Sequence, residues 1–185
     1  LFKNKKVLIT GNTGFKGSWL SLWMIRLGAK VYGLSNNIPT NPSNYKSFKL
    51  NKYINQTFAD IRNKKNLEKK VLEIKPDFIF HLAAQAIVSK SYDDPYYTWE
   101  TNTFGTINLL ESLKKLQKKC FVVLITSDKS YKNLEIKRGY KENDILAGTD
   151  PYSASKSCAD IAIQSYINCY FKKQNKVRIA IARAG

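Results

Sequence analysis

Tyr152 and Lys156, in the run Tyr152-Ser153-Ala154-Ser155-Lys156, fall on one face of a helix if that segment is helical. The lysine ammonium then sits beside the phenol, lowers its pKa and can also reach a ribose, and a phenolate at neutral pH is a usable base for an alcohol proton. A lysine-rich helix surface produces such pairs without function, so the weight of this one depends on its company. A second group, Thr126-Ser127-Asp128-Lys129, leaves an apolar run. In an open α/β sheet the carboxyl ends of strands are where ligands bind, and Asp128 and Lys129, adjacent and of opposite sign, can supply one acid and one base. The plain alternative is a strand-ending turn. A third is Gly11-Asn12-Thr13-Gly14-Phe15-Lys16-Gly17. Its glycines let the backbone turn sharply and approach a pyrophosphate, whose charge then rests at a helix N-terminus.

These groups work only if strands and helices deliver them to one edge. Short β-branched runs do alternate with segments of helical period. Val7 to Thr10 reads as the first strand, Gly17 to Leu27 as a helix closed by Gly28, and Lys30 to Leu34 as the second strand. The stretch from Asn36 to Asn55, rich in Asn, Pro and Ser, reads as a loop too long to be idle. Phe58 to Ile61 ends a third strand, Lys64 to Lys75 is a helix stopped by Pro76, and Phe78 to Leu82 is a buried strand. A long helix spans Tyr96 to Leu116, Phe121 to Thr126 is a strand, and Lys129 to Thr149 is loop. Tyr152 to Phe171 is the last helix and Val177 to Ala182 the last strand. This order implies one Rossmann-type doubly wound parallel sheet in a three-layer α/β/α arrangement over residues 1–185.

The glycine loop usually has an acidic partner about 20 residues on that grips ribose hydroxyls. Here that place is near Ser35, and no Asp or Glu precedes Asp60. Either neutral groups such as Ser35 and Asn36 hold the ribose or a 2′-phosphate is accepted, so NAD and NADP both stay open.

The formal charge of +17 raises nucleic acid or an anionic membrane as partners. Lysine supplies 26 of the 31 basic residues and arginine, the better reader of phosphates and bases, is scarce, which favours a solvated lysine surface and no nucleic-acid partner. No apolar run approaches the roughly 20 residues that cross a bilayer, so no membrane partner and a cytoplasmic location are expected. Cys120, Cys158 and Cys169 lack paired spacing, which argues against disulfides and against any metal site. The chain begins at Leu1 and stops at Gly185 directly after a strand-like run, and is expected to be part of a longer one.

The loop GNTGFKG, HLAAQ at His81 to Gln85, TNTFGTINLLE at Thr101 to Glu111, TSDKSY at Thr126 to Tyr131 and YSASK together resemble the extended short-chain dehydrogenase/reductase family of NAD-dependent epimerases and dehydratases. Within it, GFKGSWLSLW, the PTNPS run at Pro39 to Ser43 and SDK are similar to the branch of 4,6-dehydratases acting on CDP-glucose. The resemblance implies a pyrophosphate over Gly11, Asn12, Thr13, Gly14, Phe15 and Gly17, and an adenine edge near Asp60 and Ile61. It implies a nicotinamide side near Leu82, Ala83, Ala84, Asn102, Thr126, Tyr152 and Lys156, with Ser127 beside Tyr152 at the sugar's 4-oxygen. It gives His81 no proton-transfer role, and a structural one is expected.

The implied reaction oxidises C4, which acidifies the C5 proton, then eliminates the 6-hydroxyl as water and returns the hydride to C6. Tyr152 would be the C4 base with Ser127 and Lys156, Asp128 the acid at O6, and Lys129 the C5 base or its supporting cation. Related dTDP-sugar dehydratases carry glutamate where this chain has Lys129, so the C5 base stays open. The resemblance also implies a nucleotide-sugar substrate, a substrate-binding domain beyond residue 185, and a homodimer through the two long helices, with Leu109, Leu110, Ile161, Ile163 and Ile167 as its apolar positions. The rival readings are an epimerase or decarboxylase of the same family, which needs no elimination acid, and a non-catalytic dinucleotide-sensing or nucleic-acid-binding protein.

Overall fold

Five short apolar runs and one polar edge segment become six parallel strands, β1 (Lys6–Thr10), β2 (Lys30–Ser35), β3 (Asn55–Phe58), β4 (Phe78–His81), β5 (Cys120–Ser127) and β6 (Val177–Ala184). They form one sheet in the order β3-β2-β1-β4-β5-β6 in the computed structural model, which describes residues 1–185. Val7 lies level with Val31 on one side and with Phe78 on the other. The chain therefore steps outward in opposite directions from β1, and the carboxyl ends of β1 and β4 flank the crevice where such sheets bind ligands.

Helices α1 (Phe15–Arg26), α2 (Asn44–Ser47), α3 (Lys64–Ile74), α4 (Val88–Asp93), α5 (Pro95–Trp99), α6 (Gly105–Lys114) and α7 (Pro151–Tyr166) cover the sheet. Alternation along the strands divides the core in two. Leu8, Leu34, Ile79, Val122 and Leu124 meet Leu67 and Val71 of α3, Leu109, Leu110 and Leu113 of α6, and Ile163 of α7. Val7, Ile9 and Val31 point to the other face and meet Met24 of α1 with Tyr45, Leu50 and Ile54. Three layers result, as the strand and helix order implied.

Several details depart from the sequence reading. The third strand lies three residues earlier than Phe58 to Ile61. β3 is an edge strand of half-exposed polar residues paired to β2, whereas Ile61 turns away into the larger core. The long stretch after β2 contains α2 and a 3₁₀ turn, Leu50–Lys52. It buries Tyr45, Leu50 and Ile54, whose spacing is too irregular to announce an element. The helix expected from Tyr96 starts at Pro95, with Asp94 accepting from the Tyr97 N–H, and widens into a π turn, Glu100–Phe104, before α6. Leu109, Leu110 and Ile163, read as interface positions, are fully buried against the sheet; Ile167 packs on the same core, and Ile161 alone is well exposed. No helix is long and apolar enough to cross a membrane.

Candidate active site at the carboxyl edge of the sheet

β1 is followed directly by Gly11, whose φ of 70° and whose missing Cβ both matter. An added Cβ would lie 2.7 Å from the Ala83 nitrogen just past β4. Gly17 packs its Cα so tightly on the Gly11 carbonyl and Asn12 that any side chain collides. Gly14 differs, since a Cβ there meets only the Gly11 oxygen at 3.4 Å and otherwise faces open space. It also starts α1 without a side-chain cap, which leaves the first N–H groups of the helix available to an anion.

Neighbouring strands brace the loop. Asn12 is fully buried and donates to Gln56 Oε1 at 2.7 Å, while its Oδ1 accepts from the Ser35 hydroxyl at 2.8 Å. Its side chain occupies the space over Gly33 that a Cβ would need. The Thr13 hydroxyl donates to the Asn37 carbonyl at 2.6 Å. Ser35, read as a candidate for the ribose, is thus turned inward to hold the loop, and Asn36 remains as the exposed neutral group at that edge. Beyond β3, the Asp60 carboxylate accepts from the Arg62 N–H at 2.8 Å and pairs with its guanidinium at 2.7 Å. Burial alone would raise its pKa, but the bonds to Arg62 hold it below the usual range. Arg62 stacks on Tyr97 at 4.5 Å and reaches Glu100 at 3.1 Å.

α7 is started by Asp150, which accepts from the Ser153 N–H at 3.0 Å, with Pro151 in the first turn. One turn holds Tyr152 and Lys156, both more than nine-tenths buried. Neither the Tyr152 hydroxyl nor the Lys156 ammonium has a partner within the chain. Burial, with a smaller contribution from the Lys16 charge, pushes Lys156 down to about 8. Asn102, in the π turn, accepts from the Gln85 N–H at 2.8 Å and donates to the Gln85 carbonyl and Ser155 hydroxyl. Its side chain locks the segment after β4, including Leu82 to Ala84, to α7.

β5 delivers Thr126 and Ser127 and ends in a 3₁₀ turn, Asp128–Ser130. The Ser127 hydroxyl donates to Asp128 Oδ1 at 3.1 Å and accepts from the Lys129 N–H at 3.2 Å. Lys129 lies 3.9 Å from Asp128, both side chains about half exposed. The turn packs on α7, where the Ser157 hydroxyl lies 2.8 Å from the Ser130 carbonyl. All three groups picked out in the sequence therefore meet at one edge.

His81 lies beneath them, fully buried, and burial with the nearby Lys156 charge pushes its pKa down to about 3. The Thr106 hydroxyl gives its proton to the Asn102 carbonyl at 2.7 Å, so its oxygen accepts from His81 Nε2 at 3.3 Å. Nδ1 is left to accept from the Thr10 hydroxyl at 2.7 Å. This is the geometry of a neutral imidazole tying β4 to β1 and α6. Sequence reasoning missed Gly33, Gln56 and Gln85, as well as Asp160 and Arg183. Asp160, four residues beyond Lys156 on the same helix face, carried a local signal; the others act between elements far apart in the chain.

A parallel sheet with this crossover, a glycine loop after its first strand and a buried Tyr/Lys pair at its carboxyl edge define a Rossmann-type α/β domain. The family model described as GDP-mannose 4,6 dehydratase matches residues 8–177, and the chain belongs to that family. It is 43% identical over its whole length to CDP-glucose 4,6-dehydratase of Salmonella typhimurium, of which it covers 52%. Among solved structures it is similar to Pal from Bacillus thuringiensis (TM-score 0.83, 29% identity, 96% of this chain and 55% of that one). The Thermus thermophilus UDP-glucose 4-epimerase complex with NAD is similar too (TM-score 0.81, 27% identity, 96% and 54%). The chain spans about half the length of the curated relatives it matches.

Proposed function

We propose that these residues are the cofactor-binding and catalytic half of a nucleotide-sugar 4,6-dehydratase that converts CDP-glucose to its 4-keto-6-deoxy derivative and water. The observation that carries this is the partner-free, buried Lys156 one turn from Tyr152, packed against a turn that adds an acid and a cation, Asp128 and Lys129. An oxidoreductase acting on an alcohol needs only the first pair. The second is what an elimination requires.

The same buried ammonium, the uncapped start of α1 and the open space at Gly14 fit NAD, and its chemistry when bound is to accept two electrons and give them back. Gly11, Asn12, Thr13, Gly14, Phe15 and Gly17 would hold the pyrophosphate, Asp60 and the main chain of Ile61 the adenine, and Leu82 to Ala84, Asn102 and Thr126 the nicotinamide end. Tyr152 takes the proton from the sugar's O4 while Lys156 stabilises the phenolate and Ser127 bonds the same oxygen. Asp128 then protonates the departing O6, and Lys129 acts at C5, as base or as supporting cation. The nucleotide pocket belongs to a further domain, and the full-length protein pairs through its long helices.

Full-length protein given CDP-glucose should form a product with the alkaline ultraviolet absorbance of a 4-keto-6-deoxy sugar. An epimer without that signal would place the protein with the epimerases instead. Lys129→Met should abolish elimination with the fold intact, and normal turnover by that variant would remove Lys129 from the mechanism.

A further inference from the structure

Asp160 places a carboxylate on α7, fully buried and one turn past Lys156. A lone charge there is costly, and four donors offset it. Arg183 Nε donates to Oδ2 at 2.8 Å and Nη2 to Oδ1 at 3.0 Å, the Thr126 hydroxyl donates to Oδ2 at 3.0 Å, and the Gln164 amide donates to Oδ1 at 2.7 Å. The remaining arginine nitrogen, Nη1, turns away to the Tyr131 hydroxyl at 2.7 Å and the Glu142 carbonyl at 2.9 Å. The guanidinium also lies over the Tyr131 ring at 4.8 Å, and that ring stacks on Tyr140. Beyond it, Tyr131 bridges to Leu146, and the Lys132 N–H donates to the Ile145 carbonyl at 2.8 Å.

Thr126 and Tyr131 bracket the turn Ser127-Asp128-Lys129-Ser130 in the chain. One buried ion pair thus grips the residue on each side of the groups assigned to the sugar, and does so from the helix that carries Tyr152 and Lys156. We propose that Asp160 and Arg183 are positioning residues, a clamp that fixes the Ser127–Lys129 turn relative to Tyr152 and secures the segment from Tyr131 to Leu146. The clamp needs arginine. A planar fork bonds a carboxylate through two nitrogens and keeps a third for the opposite side, which a lysine ammonium does not reproduce. This rests on the dehydratase reading of the turn.

In the full-length protein with NAD and CDP-glucose, Arg183→Met should lower kcat about a hundredfold, the scale of a small misplacement of reacting groups. KM for CDP-glucose should move by less than about threefold, because no substrate contact is removed. Arg183→Lys should restore only part of kcat. Limited proteolysis should cut between residues 131 and 146 faster in Arg183→Met than in the parent. Tyr131→Phe removes one hydroxyl and keeps the ring stack; it should lower kcat about tenfold, the equivalent of one charge-assisted hydrogen bond, with KM for CDP-glucose little changed. A parental kcat and cleavage pattern in Arg183→Met overturns the clamp, as does a parental kcat in Tyr131→Phe should the methionine variant fail to fold. If the unsubstituted protein does not convert CDP-glucose, the reading of the turn fails instead, and the proteolysis then decides the clamp alone.

Discussion

Lys156 shows how a reactive residue draws on the stability of its fold. Its folded pKa of about 8 lies below the ordinary 10.5, so the unfolded chain binds a proton more tightly than the folded one between those values. Above about 10.5 the residue costs nothing; the cost grows as pH falls and is complete below about 8, where the gap corresponds to about 3 kcal/mol. Lys156→Met should therefore raise the urea midpoint of the full-length protein at pH 7 and lose that advantage near pH 11. Its kcat should fall at least a hundredfold, the usual scale of a lost acid–base group. A variant that is less stable at pH 7 would show that the ammonium has a partner in the folded state. His81 makes the contrast. It is equally buried, but both ring nitrogens are bonded, which is what separates a structural titratable group from one left free for chemistry.

At the scale of elements, the loop between β1 and α1 is a close-packed joint with one position left open. Gly17→Ala drives a methyl into the Gly11 carbonyl and to 2.7 Å from Asn12 Cα, and should cost both stability and cofactor binding. Gly14→Ala meets protein only at 3.4 Å. It should leave the unfolding midpoint nearly unchanged while weakening NAD binding at least tenfold by calorimetry. Equal loss of stability in the two variants would mean that Gly14 serves the fold rather than the ligand. Much of this edge was legible in the sequence because its signals are local: Gly11 to Gly17, Tyr152 and Lys156, and the polar residues closing β5 each sit within a few residues of one another. β3 was displaced because its pairing comes from edge hydrogen bonds by Asn55, Gln56 and Thr57, while the apolar Ile61 that drew the reading belongs to the core beneath α6. The inward turn of Ser35 and the Arg183 to Asp160 pair depend on which strands become neighbours. No spacing along the chain encodes that.

Across the whole molecule, two properties act in opposite directions on self-association. The formal charge of +17 on these 185 residues makes two copies of this domain repel, and the few acidic residues are largely taken up in ion pairs such as Asp60 with Arg62 and Asp144 with Arg138. With Leu109, Leu110 and Ile163 committed to the core, the proposed pairing through α6, α7 and the adjoining π turn is left a narrower apolar surface that includes Ile161 and Phe104, 53% and 58% exposed. A dimer built this way is driven by apolar burial against like-charge repulsion, and salt should tighten it, because the Debye length shrinks to about 8 Å at physiological ionic strength and further above it. Sedimentation of the full-length protein should show a dimer whose dissociation constant falls as salt rises from about 0.05 to 0.5 M, the range over which screening shortens markedly. Ile161→Asp, which buries an unpaired charge at the centre of that contact, should leave a monomer that still binds NAD. Another exposed apolar group, Phe15, Trp19 and Trp23 on α1, offers a competing surface. If Trp23→Ala dissociates the dimer and Ile161→Asp does not, the copies meet through α1, and the long helices carry the active site without carrying the assembly.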